Sequence, residues 1–159
     1  MSSRNFLSIT TAVALVCSST VRAQDQIPLT VVFAGGEQKN LSLEDLDTMK
    51  QVSFSTSTIW TDGVNQFSGV PVASLLQYLD AEVQQLKLSA LNDYSVKIPV
   101  AELEAEVPII ATRVDGSTMS VREKGPYWVM FPFDDRPDYK TESNYSRAIW
   151  QLQTIELLE

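Results

Sequence analysis

The 159-residue chain contains no histidine, and its one cysteine, Cys17, stands near the N-terminus. Ser-His-Asp hydrolysis, Cys-His catalysis, zinc sites and haem ligation through histidine or cysteine are therefore excluded for the body of the chain. There is no GxGxxG, no P-loop and no calcium-loop spacing, so the common phosphate and calcium cradles are missing too. Bases are scarce as well: 12 lysines and arginines face 20 carboxylates, a net charge of −8. That leaves no electrostatic footprint for nucleic acid or anionic lipid. With this many acids some carboxylates pair by chance, so pairing alone does not argue for an enzyme.

The N-terminus points to a compartment. Arg4 precedes a short, mostly apolar run over 6–17, and Val21-Arg22-Ala23 puts small residues at −3 and −1 before Gln24. This predicts a cleaved secretory signal peptide over 1–23; the run falls short of the about 20 apolar residues that span a bilayer. Cys17 is a poor lipid anchor, because Val16 stands where a lipoprotein signal has a small residue. The expected mature chain, 24–159, is soluble, periplasmic and free of cysteine, with ten bases against twenty acids for a net −10. It has the size of one domain and no disulfide to staple it, so its fold must rest on a hydrophobic core.

The mature chain reads as short strands with a few short helices. The runs 29–33 and 51–59 are strands, the second alternating, with Val52, Phe54 and Thr56 on one face. Ser42 caps a short helix with Asp45 answering it, and 60–63 is a turn. Pro71 opens a helix carrying the stripe Val72, Leu75, Leu76 and Leu79. The runs 86–91 and 94–98 pair around Asn92-Asp93, 99–106 is a short acidic helix, and 108–114 pairs with 117–122 across Asp115-Gly116. Strands at 127–131 and 151–158 finish the chain. The fold class is α+β: a single mixed, mainly β domain. Within it, 125–150 (GPYWVMFPFDDRPDYKTESNYSRAIW) gathers two of the three tryptophans, three of the five tyrosines and mixed charge. Its first part, up to Phe131, reads as a strand whose aromatics pack inward, a wall behind a site.

A family resemblance follows from an ordered series. Phe67-Ser68-Gly69-Val70-Pro71 with Leu75-Leu76, then Ala90-Leu91-Asn92-Asp93-Tyr94, Ile110-Ala111, Asp115-Gly116 and Gly125-Pro126 together resemble the molybdopterin-binding domain of the sulfite-oxidase-like superfamily. In its enzymes a cysteine thiolate near the end of the strand before the FxGVP-like stretch binds molybdenum. Here that region reads Phe54-Ser55-Thr56-Ser57-Thr58-Ile59-Trp60, without the thiolate, which argues against oxidoreductase chemistry and against a bound metal. The chain is most similar to the small, secreted, cysteine-lacking branch that includes the PruR-type periplasmic pterin-binding proteins. The resemblance implies a non-catalytic receptor for a free pterin, a reduced tetrahydropterin-type one included. It further implies regulation of an inner-membrane cyclic-di-GMP signalling protein through that protein's periplasmic domain. A molybdenum-cofactor oxidoreductase or its subunit, and an interaction module without a ligand, are the alternatives.

A pterin needs an aromatic face and acceptors for the donor edge of its pyrimidine ring. The expected ligand-binding residues are Trp60, Asn92, Asp93, Tyr94, Asp134, Tyr145, Arg147 and Trp150, with no catalytic or metal-binding residue. Each also has a plain structural role open to it. Trp128 and Trp150 suit a core, Asn92-Asp93 suits a turn, and Asp134 and Arg147 suit a surface ion pair with each other.

Overall fold

Short runs of β-branched and aromatic residues need a sheet to bury one face, and the chain forms ten strands among its described residues. The structure is a computed structural model that describes residues 27–159; the expected signal segment, its cleavage point and Cys17 lie outside the described residues. β1 (Leu29–Val32) runs parallel to β10 (Leu152–Leu158) with Val31 opposite Ile155, so the two ends of the domain close on each other. β2 (Gln38–Leu41) pairs with the free side of β1, and β5 (Gln85–Ala90) and β6 (Ser95–Pro99) extend the sheet beyond β10, in the order β2-β1-β10-β5-β6. The second sheet runs β3 (Val52–Ser57), β4 (Val64–Pro71), β7 (Ile109–Val114) and β8 (Ser117–Thr118), with β9 (Trp128–Met130) also paired to β7.

One buried cluster draws on both sheets: Leu29, Val31, Leu86, Leu88, Leu152 and Ile155 from the first, Phe67, Val70, Ile109, Ile110 and Val129 from the second. Two helices flank it. α1 (Leu43–Asp47) starts at the expected capping box, with Ser42 Oγ accepting from the Asp45 amide at 3.1 Å and the Asp45 carboxylate accepting from the Ser42 amide at 2.8 Å. α2 (Val72–Tyr78) buries Val72, Leu75 and Leu76, as the stripe predicts, with Pro71 as its N-cap. At Asp115-Gly116 both φ angles are positive, 49° and 81°, the backbone that a tight hairpin between β7 and β8 requires. The strand expected to serve as a wall is one: Tyr127, Trp128, Val129, Met130 and Phe131 are all buried.

Gly69, in the FSGVP stretch, is fixed by close approach rather than by φ. A Cβ there would lie 1.9 Å from the Ile110 carbonyl oxygen, next to a register shift between β4 and β7 at Ser68/Gly69. Only glycine lets the two backbones meet.

Several expectations need correction. The acidic helix over 99–106 shrinks to a 3₁₀ turn, Val100–Glu102, because no apolar stripe holds the rest down. The strand over 117–122 stops after Thr118; Ser120 then caps a 3₁₀ turn, Val121–Glu123, with Glu123 answering it. β2, three of whose four residues are exposed, has no alternation to reveal it. β4, Val64–Pro71, stands where no strand was expected, between the turn at 60–63 and the helix that Pro71 opens. A third helix, α3 (Glu142–Arg147), stands where only a polar aromatic segment was expected.

Candidate functional site

Loops at one end of the sheets converge on a cleft of about 430 Å³. Trp60, just after β3, forms its floor. Asn92 and Tyr94 come from the β5–β6 turn, Glu142, Tyr145 and Ser146 from one face of α3, and 148–150 from the segment leading to β10. The volume lies within the roughly 300–1,000 Å³ of small-molecule pockets.

Aromatic packing builds the floor. The Trp60 ring meets Trp150 at 5.5 Å, Tyr145 at 6.0 Å, Trp128 at 6.1 Å and Phe133 at 6.4 Å between centroids, all at steep angles. Three of these are edge-to-face, the favoured geometry for ring quadrupoles, and the Trp128 pair is tilted. Tyr145 in turn stacks on the buried Phe133 at 4.6 Å and 19°, which ties α3 to the wall. Behind them the Trp128 indole donates to the Ala148 carbonyl at 3.1 Å, and the Val129 amide donates to the Ile149 carbonyl at 2.9 Å. The approach to β10 is thereby fixed to the wall strand.

Local hydrogen bonds set the rim. The Asn92 Oδ1 accepts from the Tyr94 amide at 3.2 Å, a side chain closing its own turn. The Tyr94 hydroxyl reaches across to donate to the Ser146 carbonyl at 3.2 Å, bridging the β5–β6 turn and α3. Thr141 caps α3, its Oγ1 accepting from the Asn144 amide at 3.2 Å.

Five of the eight expected residues, Trp60, Asn92, Tyr94, Tyr145 and Trp150, line this one cleft. The other three sit elsewhere. Asp93 is exposed at φ 65° and donates its amide to the Ala90 carbonyl at 3.1 Å, which is turn chemistry. Asp134 accepts from the Ser57 amide at 2.6 Å and the Ser57 hydroxyl at 2.7 Å, and pairs with Lys140 at 3.0 Å. Those bonds, the backbone one first, hold its carboxyl down at about 2; its amide also donates to Thr56 Oγ1 at 3.1 Å. Asp134 thus braces the end of β3. Arg147 lines a second, polar cleft of about 290 Å³ with Glu104, Arg136, Tyr139 and Asn144, and is paired there with Glu102. The expected Asp134–Arg147 ion pair does not form: α3 turns Arg147 away from Asp134.

Sequence reasoning missed Glu142 and Ser146 in the cleft. Thr141 followed by an acidic residue is a helix-start signal, and it would have put Glu142, Tyr145 and Ser146 on one face.

With that geometry in place, comparison with known proteins adds one result. No protein-family model matches the chain, and no curated protein matches it. Among solved structures it is similar to the sulfane dehydrogenase SoxCD from Paracoccus pantotrophus, with a TM-score of 0.62 and 13% identity. The match covers 82% of this chain and 38% of that one. The fold is sulfite-oxidase-like. A single α+β domain, mainly sheet with few helices, is what that resemblance led one to expect.

The family resemblance read from the sequence implies a molybdenum-bearing pterin cofactor held by a cysteine thiolate near the end of the strand before FSGVP, and that thiolate is absent here. The end of β3 supplies Ser55, Thr56 and Ser57, no thiolate, and among the described residues no group of three His, Cys, Asp or Glu is placed to hold a metal ion. The pterin ring is another matter. An aromatic floor, an amide and a carboxylate within one cleft are groups suited to a flat heterocycle with a donor edge.

Proposed function

We propose that the chain is a non-catalytic pterin-binding protein of the periplasm. It senses a free pterin, of the reduced tetrahydropterin type, and regulates an inner-membrane cyclic-di-GMP signalling protein through that protein's periplasmic domain. The observation that carries the ligand class is the cleft in which Trp60, Tyr145 and Trp150 meet Asn92 and Glu142. Three rings give stacking surface, worth about 1 kcal/mol per stacked pair beyond area burial; the amide and carboxylate accept from the pyrimidine edge. The serine and threonine residues at the end of β3, where the resemblance puts a metal-binding thiolate, favour a receptor over a molybdenum enzyme. The N-terminal segment 1–23 supports the compartment.

Isothermal titration of the mature chain with reduced and oxidised pterins tests the ligand class. Saturable heat and a thermal shift are expected with at least one of them; neither with any pterin refutes it. A ligand shifts a partner only by binding two states unequally. The pterin-loaded and pterin-free forms are therefore expected to differ in affinity for the partner's periplasmic domain, and equal affinities in a pull-down titration would remove the regulatory role.

A further inference from the structure

We propose that Glu142 sets the selectivity of the aromatic cleft, and that it favours neutral or protonated pterins over phosphorylated ones. This rests on the pterin reading of that cleft. Among the cleft-lining residues Glu142 is the one carboxylate, and none is a lysine or arginine. The nearby base on α3, Arg147, faces the other cleft and is held by Glu102. Glu142 itself takes part in none of the six salt bridges among the described residues, so its charge is uncompensated by any ion pair.

Helix geometry puts that charge on the cleft-facing side of α3. Glu142, Tyr145 and Ser146 stand at i, i+3 and i+4 on α3, one face of the helix, and all three line the cleft. A flat ligand lying on the aromatic floor beside α3 would present its edge to the Glu142 carboxylate. The 2-amino group and N3–H of a pterin are adjacent donors, a match for the two oxygens of one carboxylate. A phosphate ester on the pterin's side chain brings about −1.5 to −2 charges into a site with an acid and no base. Glu142 is exposed at the rim, so that repulsion is strongest at low ionic strength. The lack of a base also sets this cleft against a phosphate-bearing molybdopterin, independently of the missing thiolate.

The test is titration of the full mature chain with tetrahydroneopterin and with its monophosphate ester, on wild type, Glu142→Gln and Glu142→Lys. Wild type is expected to bind the free pterin at least about tenfold more tightly than the ester. Glu142→Gln, which keeps the shape and removes the charge, is expected to weaken the free pterin about tenfold and to narrow the gap; Glu142→Lys is expected to reverse the preference. Equal wild-type affinities for the two ligands overturn the inference without any variant. So does an unchanged free-pterin affinity in Glu142→Gln, and in both cases the pterin reading stands. Wild type that binds neither ligand nor any other pterin overturns both.

Discussion

Replacing Trp60 with alanine should damage the domain as well as its ligand site. The ring touches four aromatic neighbours at centroid distances from 5.5 to 6.4 Å, yet it is only half-buried. A fully buried tryptophan costs about 3–5 kcal/mol on truncation to alanine. Partial exposure lowers the burial share, while each edge-to-face pair adds about 0.5–1.5 kcal/mol beyond area. The expected loss is therefore about 2–3 kcal/mol, a fall in Tm of about 10 °C for a domain of this size. Urea unfolding followed by far-UV circular dichroism, not by tryptophan emission, measures it without losing the probe. Trp60→Phe should recover about half the loss. A cost below about 0.5 kcal/mol, the range of ordinary surface substitutions, would show that Trp60 is not integrated into the aromatic floor. Pterin affinity should fall at least about fivefold in Trp60→Ala under conditions where the variant is folded.

Three further outcomes follow from the same packing. Gly69→Ala places a methyl 1.9 Å from the Ile110 carbonyl oxygen, against backbone rather than a side chain that can swing away; it should cost more than about 2 kcal/mol in urea unfolding. Tyr127 is fully buried, its hydroxyl has no hydrogen-bond partner among the described residues, and burial pushes its ionisation up to about 12, so Tyr127→Phe should be neutral or stabilising by up to about 1 kcal/mol in the same assay. Asp134 ionises at about 2 in the folded chain against 3.8 for a free aspartate, so its stabilisation is complete above about pH 4 to 5 and is lost as pH falls toward 2. Thermal melts from pH 7 to pH 2.5 should show a shallower acid limb for Asp134→Asn than for wild type. Some slope should remain, because Asp45, Asp47, Asp115 and Glu123 are also held below the ordinary carboxylate range.

What the sequence makes legible is local chemistry. The Ser42 cap, the Asp115-Gly116 turn and the α2 stripe each declare themselves within a few residues, and each forms as expected. β4 hides because Asn65, Gln66, Gly69 and Pro71 interrupt any alternation, and its place is secured by pairing with β3 and β7 on both sides. α3 hides because ESNYSR has no apolar stripe; contacts from distant parts of the chain, Tyr145 on Phe133 and Arg147 to Glu102 among them, anchor it. Trp60 and Tyr94 are far in the chain from Tyr145 and Trp150, and only the order of the resembling motifs linked them before their convergence in one cleft. Arg147 shows the opposite case. Nearness to Asp134 in sequence suggested a pair, but its carboxylate partner is Glu102, brought in by the turn after β6, which no local pattern foretells.

α3 is the wall that two clefts share. Glu142, Tyr145 and Ser146 face the aromatic one, while Asn144 and Arg147 face the polar one. Two connections hold the polar face: Arg147 to Glu102, and the Asn144 amide group to the Tyr139 carbonyl at 3.2 Å. Three hold the aromatic face: Tyr145 on Phe133, Tyr145 against Trp60, and Tyr94 to the Ser146 carbonyl. A six-residue helix has too little hydrogen bonding of its own to stay put without such contacts. A ligand that displaces the Tyr94 bridge or pulls on Tyr145 therefore changes the load on Arg147 and Asn144, on the opposite side of the helix. Asp134, outside the aromatic cleft, fixes Ser57 three residues before Trp60. The floor is thus held rigid from β3 while the helical wall rests on a few separable contacts, so ligand binding has more freedom to move α3 than to move Trp60.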